Sequence, residues 1–66
     1  MTPEEKYVYD ALKECIDKYG YTPTIRELCS KTGKKSPATI HYFLTQLEKK
    51  RYIERINNRK IILKGE

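Results

Sequence analysis

One histidine, His41, and two cysteines, Cys15 and Cys29, are the obvious reactive side chains in these 66 residues. No serine, cysteine or acid is spaced to form a triad with His41, and the two thiols are scattered through helical patterns rather than set at ligand spacing. The chain therefore supplies no catalytic residue, no metal site and no cofactor motif, and both thiols read as small core residues in a reducing compartment. The chemistry left is recognition by contact. In "KKSPATIHYFLTQLEKKRYI", residues 34–53, leucines recur at helical spacing. The opposite side is made of Ala38, Thr39, His41, Tyr42 and Thr45, in place of the Glu/Lys mix of a solvated helix. Such a side is small, uncharged and able to hydrogen-bond, and cations stand around it.

The charge is unevenly placed. Residues 1–30 carry four Lys or Arg against six acids, and residues 31–66 carry ten against three, so a half of net −2 adjoins a half of net +7 within a total of +5. This is the footprint expected of a phosphate-facing surface, although basic composition alone also serves solubility. With 38% apolar and 35% charged residues, the chain suits one small folded domain, 1–66, rather than a disordered tail. No apolar run is long enough for a transmembrane helix, and the opening MTPEEK has acids where a signal peptide needs lysines, so no membrane partner and a cytoplasmic location are expected. No motif for a small-molecule ligand is evident.

The elements that must position these residues are punctuated clearly. Thr2 caps a first helix at about 3–19, with Pro3 in the first turn and Glu5 closing a capping box; Val8, Leu12, Cys15, Ile16 and Tyr19 form its stripe and Gly20 ends it. Thr24 and Glu27 form a second box for a helix at about 25–32, with Ile25, Leu28 and Cys29 buried and Gly33 as the stop. Ser36 and Pro37 open a third helix at about 37–50 after a very short turn, the spacing of a helix-turn-helix. At about 100° per residue, Leu44 and Leu47 fall within about 40° of Ile40, and Phe43 within about 60°, leaving Ala38, Tyr42, Thr45 and Lys49 outward with Thr39 and His41 flanking them. The period then changes. Strands at about 52–56 and 60–64 flank Asn57-Asn58-Arg59, which predicts a β-hairpin with Ile53 and Ile62 pointing inward.

The predicted fold is mainly α with a small β-hairpin: a three-helix winged helix-turn-helix. In this arrangement the third helix is shaped to enter a major groove. The order of features is specific enough to name a likeness. The opening Thr, "YGYTPTIREL", Gly33, the "SP" step, "HYFLTQLEKKRYI" and a wing ending in "IIL" resemble the DNA-binding domain of the LexA family of SOS-response repressors over nearly the whole chain. The resemblance implies sequence-specific binding of double-stranded DNA, a third helix that reads the half-site through Ser36, Ala38, Thr39, His41 and Tyr42, and a wing that touches backbone or minor groove. Two features depart from it: Arg51 stands where a glycine is common before the wing, and the wing loop is short. No counterpart of the family's self-cleaving Ser-Lys peptidase domain lies in these residues, so no enzyme activity is expected. The chain is expected to be a monomer in isolation, paired on a palindromic site through regions outside this sequence.

Lys34 and Lys35 beside the third helix, Arg59 and Lys60 in the wing, and Arg26 near the second helix start are the expected phosphate contacts. Lys49, Lys50 and Arg51 read instead as charges complementing a helix C-terminus, and Tyr7, Tyr9 and Tyr21 as cover for the core edge. The competing reading is a winged-helix protein-interaction module, such as a small antirepressor, which predicts binding that ignores salt.

Overall fold

The structure is a computed structural model that describes residues 1–57 and 60–64. Its elements are α1 (Pro3–Tyr19), α2 (Ile25–Thr32), α3 (Pro37–Lys49), β1 (Ile53–Asn57) and β2 (Lys60–Leu63), so the mainly helical winged helix-turn-helix architecture stands. Each of the first two helices starts on a complete capping box. The Thr2 hydroxyl accepts the Glu5 N–H while the Glu5 carboxylate accepts the Thr2 N–H, and Thr24 and Glu27 repeat the exchange. Both helices end on a left-handed glycine, Gly20 (φ 76°) and Gly33 (φ 74°).

The third helix ends one residue before its expected limit, at Lys49, in a Schellman motif. The Arg51 N–H donates to the Glu48 carbonyl (3.0 Å) and the Tyr52 N–H to the Leu47 carbonyl (2.9 Å). That geometry puts Arg51 in the left-handed region at φ 67°, the one non-glycine there among the described residues. The departure noted in the sequence thus falls on the position where a side chain costs most.

Val8, Leu12, Leu28, Ile40, Leu44, Leu47 and Ile53 are fully buried and join all three helices to β1. The helical phase deduced for α3 is therefore the observed one. Glu5 is also buried; Lys50 donates to both of its oxygens (2.8 and 3.0 Å), which holds this carboxyl below the usual carboxylate range, with the Thr2 amide assisting. Lys50, at the C-cap of α3, is thus also an ion-pair partner of α1. Tyr9 is buried, but Tyr7 and Tyr21 are exposed, so neither covers the core edge; Tyr19 is exposed as well and stacks against Tyr21 (centroids 5.8 Å).

The hairpin is antiparallel with Ile53 opposite Leu63, Glu54 opposite Ile62 and Arg55 opposite Ile61, then a register shift so that Asn57 faces Lys60. Ile56 is the extra residue of this bulge. β1 lies one residue later than expected at both ends, whereas β2 starts at Lys60 as expected and ends one residue early, at Leu63. Ile53 points inward as expected, whereas Ile62 is 42% exposed and Ile61 and Leu63 pack on the core. The correction has a simple cause: side chains alternate with period two, and Ile53 pairs with Leu63, so 61 and 63 share its face.

Candidate nucleic-acid interface

Ser36 occupies the N-cap of α3 (φ −114°, ψ 124°), but its hydroxyl makes no capping bond. The Thr39 N–H (3.1 Å) and the Ile40 N–H (3.4 Å) both donate to the Ser36 carbonyl. Alone among the three helices, α3 begins without a side chain closing its first turn, so its positive end faces solvent. Along the helix Ala38, His41 and Tyr42 are exposed. Thr39 and Thr45, expected on the same outward side, are half-buried at its two edges. Tyr42 is 59% exposed and meets Phe43 edge-on (centroids 5.4 Å).

The cations are not equivalent. Lys35, Arg26 and Lys60 are exposed and make no ion pair with another described residue. Lys34 is only one-quarter exposed: its ammonium pairs with Glu4 (3.0 Å) and lies 5.5 Å from the Phe43 ring centre. A phosphate must compete with Glu4 for it. Arg59 lies outside the described residues.

On the wing side of α3, a polar cluster appears that sequence spacing does not reveal. Arg55 donates through Nε (3.0 Å) and Nη2 (2.9 Å) to Glu48 Oε1, through Nη2 to Thr45 Oγ1 (3.1 Å), and through its backbone N–H to Glu48 Oε2 (3.3 Å). The guanidinium holds the Glu48 carboxyl below the ordinary carboxylate range. On the other strand the Ile61 N–H donates to the Thr22 hydroxyl (3.1 Å). Arg55, Glu48, Ile61 and Thr22 line a groove between α3 and the wing, with His41 on its wall. The one signal in the sequence is an arginine two residues after the buried Ile53, on the inward phase of its strand, where a cation requires a partner. Elsewhere Glu14 and Lys31 pair (2.6 Å) across α1 and α2, lowering the carboxyl and raising the amine away from the groove.

Among the described residues no group of His, Cys, Asp and Glu is arranged to hold a metal ion, Cys15 and Cys29 are free thiols, and no helix is long and apolar enough to cross a membrane.

Three helices, a tight α2–α3 turn, an outward face on α3 and a hairpin at its side define a winged helix-turn-helix domain of the nucleic-acid-reading class. The chain belongs to the LexA DNA binding domain family, whose model matches residues 1–60. Among curated proteins it is similar to the LexA repressor of Caldicellulosiruptor saccharolyticus, 44% identical over 83% of this chain and 27% of that protein. The LexA repressors of Carboxydothermus hydrogenoformans (40%, over 83% and 27%) and Desulfatibacillum aliphaticivorans (41%, over 82% and 27%) are similar over the same region. The chain thus spans about a quarter of the length of the curated relatives it matches.

Proposed function

We propose that this domain binds double-stranded DNA sequence-specifically as the operator-reading part of a LexA-type transcriptional repressor, acting in the cytoplasm. The observation that carries this is the outward face of α3. Ala38, His41 and Tyr42 are exposed there, the helix starts without a side-chain cap, and the helix's only acid, Glu48, is paired with Arg55. Nothing on that face repels a phosphate-lined groove.

The physical roles divide. Lys35, Arg26 and Lys60, with Lys34 once released from Glu4 and with Arg59, hold phosphates and set the register. The amides at the start of α3 add to that grip. Base edges are read by Ser36 at the helix start, by His41 and Tyr42 from the exposed face, by Thr39 from its edge, and by Ala38, whose methyl suits a thymine methyl and lets the helix approach closely. One chain covers one half-site; two domains on a palindrome gain affinity because the second contact becomes intramolecular.

Selection of binding sites from random duplex DNA with this 66-residue chain tests the reading. A recovered half-site motif, with log K falling by about 0.9 per neutralised phosphate against log salt, is the expected result. No enriched motif, together with salt-insensitive capture of a protein, would favour the interaction-module reading instead.

A further inference from the structure

One rung of the hairpin is fastened on both sides. Arg55 and Ile61 face each other across the strands. Arg55 is bonded into α3 through Glu48 and Thr45, and the Ile61 N–H is bonded to Thr22 in the α1–α2 connection. Immediately beyond this rung the register shifts, and the hairpin runs on to the Asn57–Lys60 pair. A bulge bends and twists its strand locally, so whatever fixes the rung before it fixes the direction of everything after it. Below the rung, Ile53 is buried and supplies only non-directional packing. The Tyr52 N–H bond to the Leu47 carbonyl fixes where β1 begins, and the directional side-chain contacts next to the bulge are the Arg55 bonds to Glu48 and Thr45 and the Thr22 bond.

His41, Thr45 and Glu48 stand at helical spacing on one stripe of α3, and His41 and Glu48 line the same groove, so the helix edge that anchors the wing runs on to the reading face. Resting on the DNA-binding reading above, we infer that Arg55 is a positioning residue: with Thr22 as second anchor, it holds the wing at a fixed angle to α3 so that Lys60 and the reading face engage one duplex at the same time. Arg55 itself spends its charge on Glu48 and does not contact phosphate. In a loosened wing, Lys60 would have to be ordered on binding, and the ordering cost would cancel its contact.

The test combines a readout without DNA and a readout with it. In Arg55→Ala, amide exchange at Ile61 and along the hairpin should accelerate while the amides of α1 stay protected; unchanged hairpin protection would overturn the inference whatever the DNA behaviour. On a selected half-site, Lys60→Ala should weaken binding severalfold and make the salt slope shallower by about 1 in the parent, yet change neither in the Arg55→Ala background. Equal effects of Lys60→Ala in both backgrounds would contradict coupling through Arg55. The reversed pair Glu48→Arg with Arg55→Glu should restore the Lys60 effect, and Arg55→Lys, which lacks the fork, should restore it only in part. If the reversed pair keeps the hairpin protected yet loses affinity as Arg55→Ala does, Arg55 is a phosphate contact and the positioning role is wrong. A parent that selects no DNA at all would overturn the DNA-binding reading, an outcome the exchange data keep separate from failure of the lock.

Discussion

The two flanks of α3 are built differently. On the wing side, Arg55 makes charged, directional bonds to Glu48 and Thr45, and both partners sit on regular elements. On the α2 side, Lys34 rests on the Phe43 ring and reaches one exposed carboxylate, Glu4, at the start of α1. The first arrangement fixes an angle. The second holds a cation loosely, since an exposed pair contributes about 0–1 kcal/mol and a solvated cation–π contact about 0.5–1 kcal/mol. On the proposed function, a domain that presents a rigid helix and wing yet delivers a lysine to a phosphate on arrival has use for both: stiffness on the flank proposed to set geometry, and ease of exchange on the flank proposed to supply charge.

The largest effect is expected where the flanks share support. Leu47 lies fully buried beneath α3, and Leu47→Ala should cost about 2–5 kcal/mol, against roughly 3–5 kcal/mol for a whole domain this small. Chemical denaturation should show most of the transition lost; a variant melting within a few degrees of the parent would mean the seam under α3 is not the common base of both flanks.

Acid is the next probe. Glu48 and Glu5 have folded pKa values lowered by Arg55 and Lys50 respectively. Their contribution is complete above the ordinary carboxylate range, including neutral pH, and is lost as pH falls through the lowered folded values. Thermal melts on an acid series should decline there, and Glu48→Gln should flatten part of the decline together with hairpin protection. A decline unaffected by Glu48→Gln would place the acid sensitivity away from the wing flank.

Smaller still is the strain at the entrance to the wing. Arg51→Gly relieves a left-handed side chain and should stabilise the domain by about 1 kcal/mol, less the extra freedom glycine has when unfolded. Denaturant midpoints read this directly, and no gain would mean that the Arg51 conformation carries little strain. The smallest stability change belongs to Glu4→Gln. Melting should move by less than about 1 kcal/mol, while affinity for every duplex rises as Lys34 is released. Unchanged affinity would remove Lys34 from the phosphate contacts.

Much of the frame was legible because its signals are local. Thr2-Pro3 with Glu5, Thr24 with Glu27, and Gly20 and Gly33 each act within one turn of chain, and the observed limits of α1 and α2 coincide with those they imply. The phase of α3 was legible from Ile40, Leu44 and Leu47 because burial on a helix has one period. The wing was not, since "KIIL" offers an apolar residue to either face and the choice of Ile61 and Leu63 over Ile62 is made by pairing and a bulge. Long-range charge partners were equally hidden. Lys34 with Glu4, Lys50 with Glu5 and Arg55 with Glu48 join residues that only the packed helices bring together. With Lys31 on Glu14 and Lys64 on Glu54, five of the ten cations of the basic half are paired within the described fold, and the cations left for a partner are fewer than the composition implies.

The central claim is that α3 chooses the sequence while the cations supply grip, and a specificity profile over a half-site library tests it most directly. Substitutions at Thr39 or His41 should move the preference at one or two base pairs by about 1–3 kcal/mol and leave non-specific affinity nearly unchanged. Lys35→Ala should do the reverse, weakening all duplexes while keeping the preferred half-site. If Thr39 and His41 variants retain the parent profile and Lys35 or Lys60 variants alter it, α3 is not the reading element and the account fails.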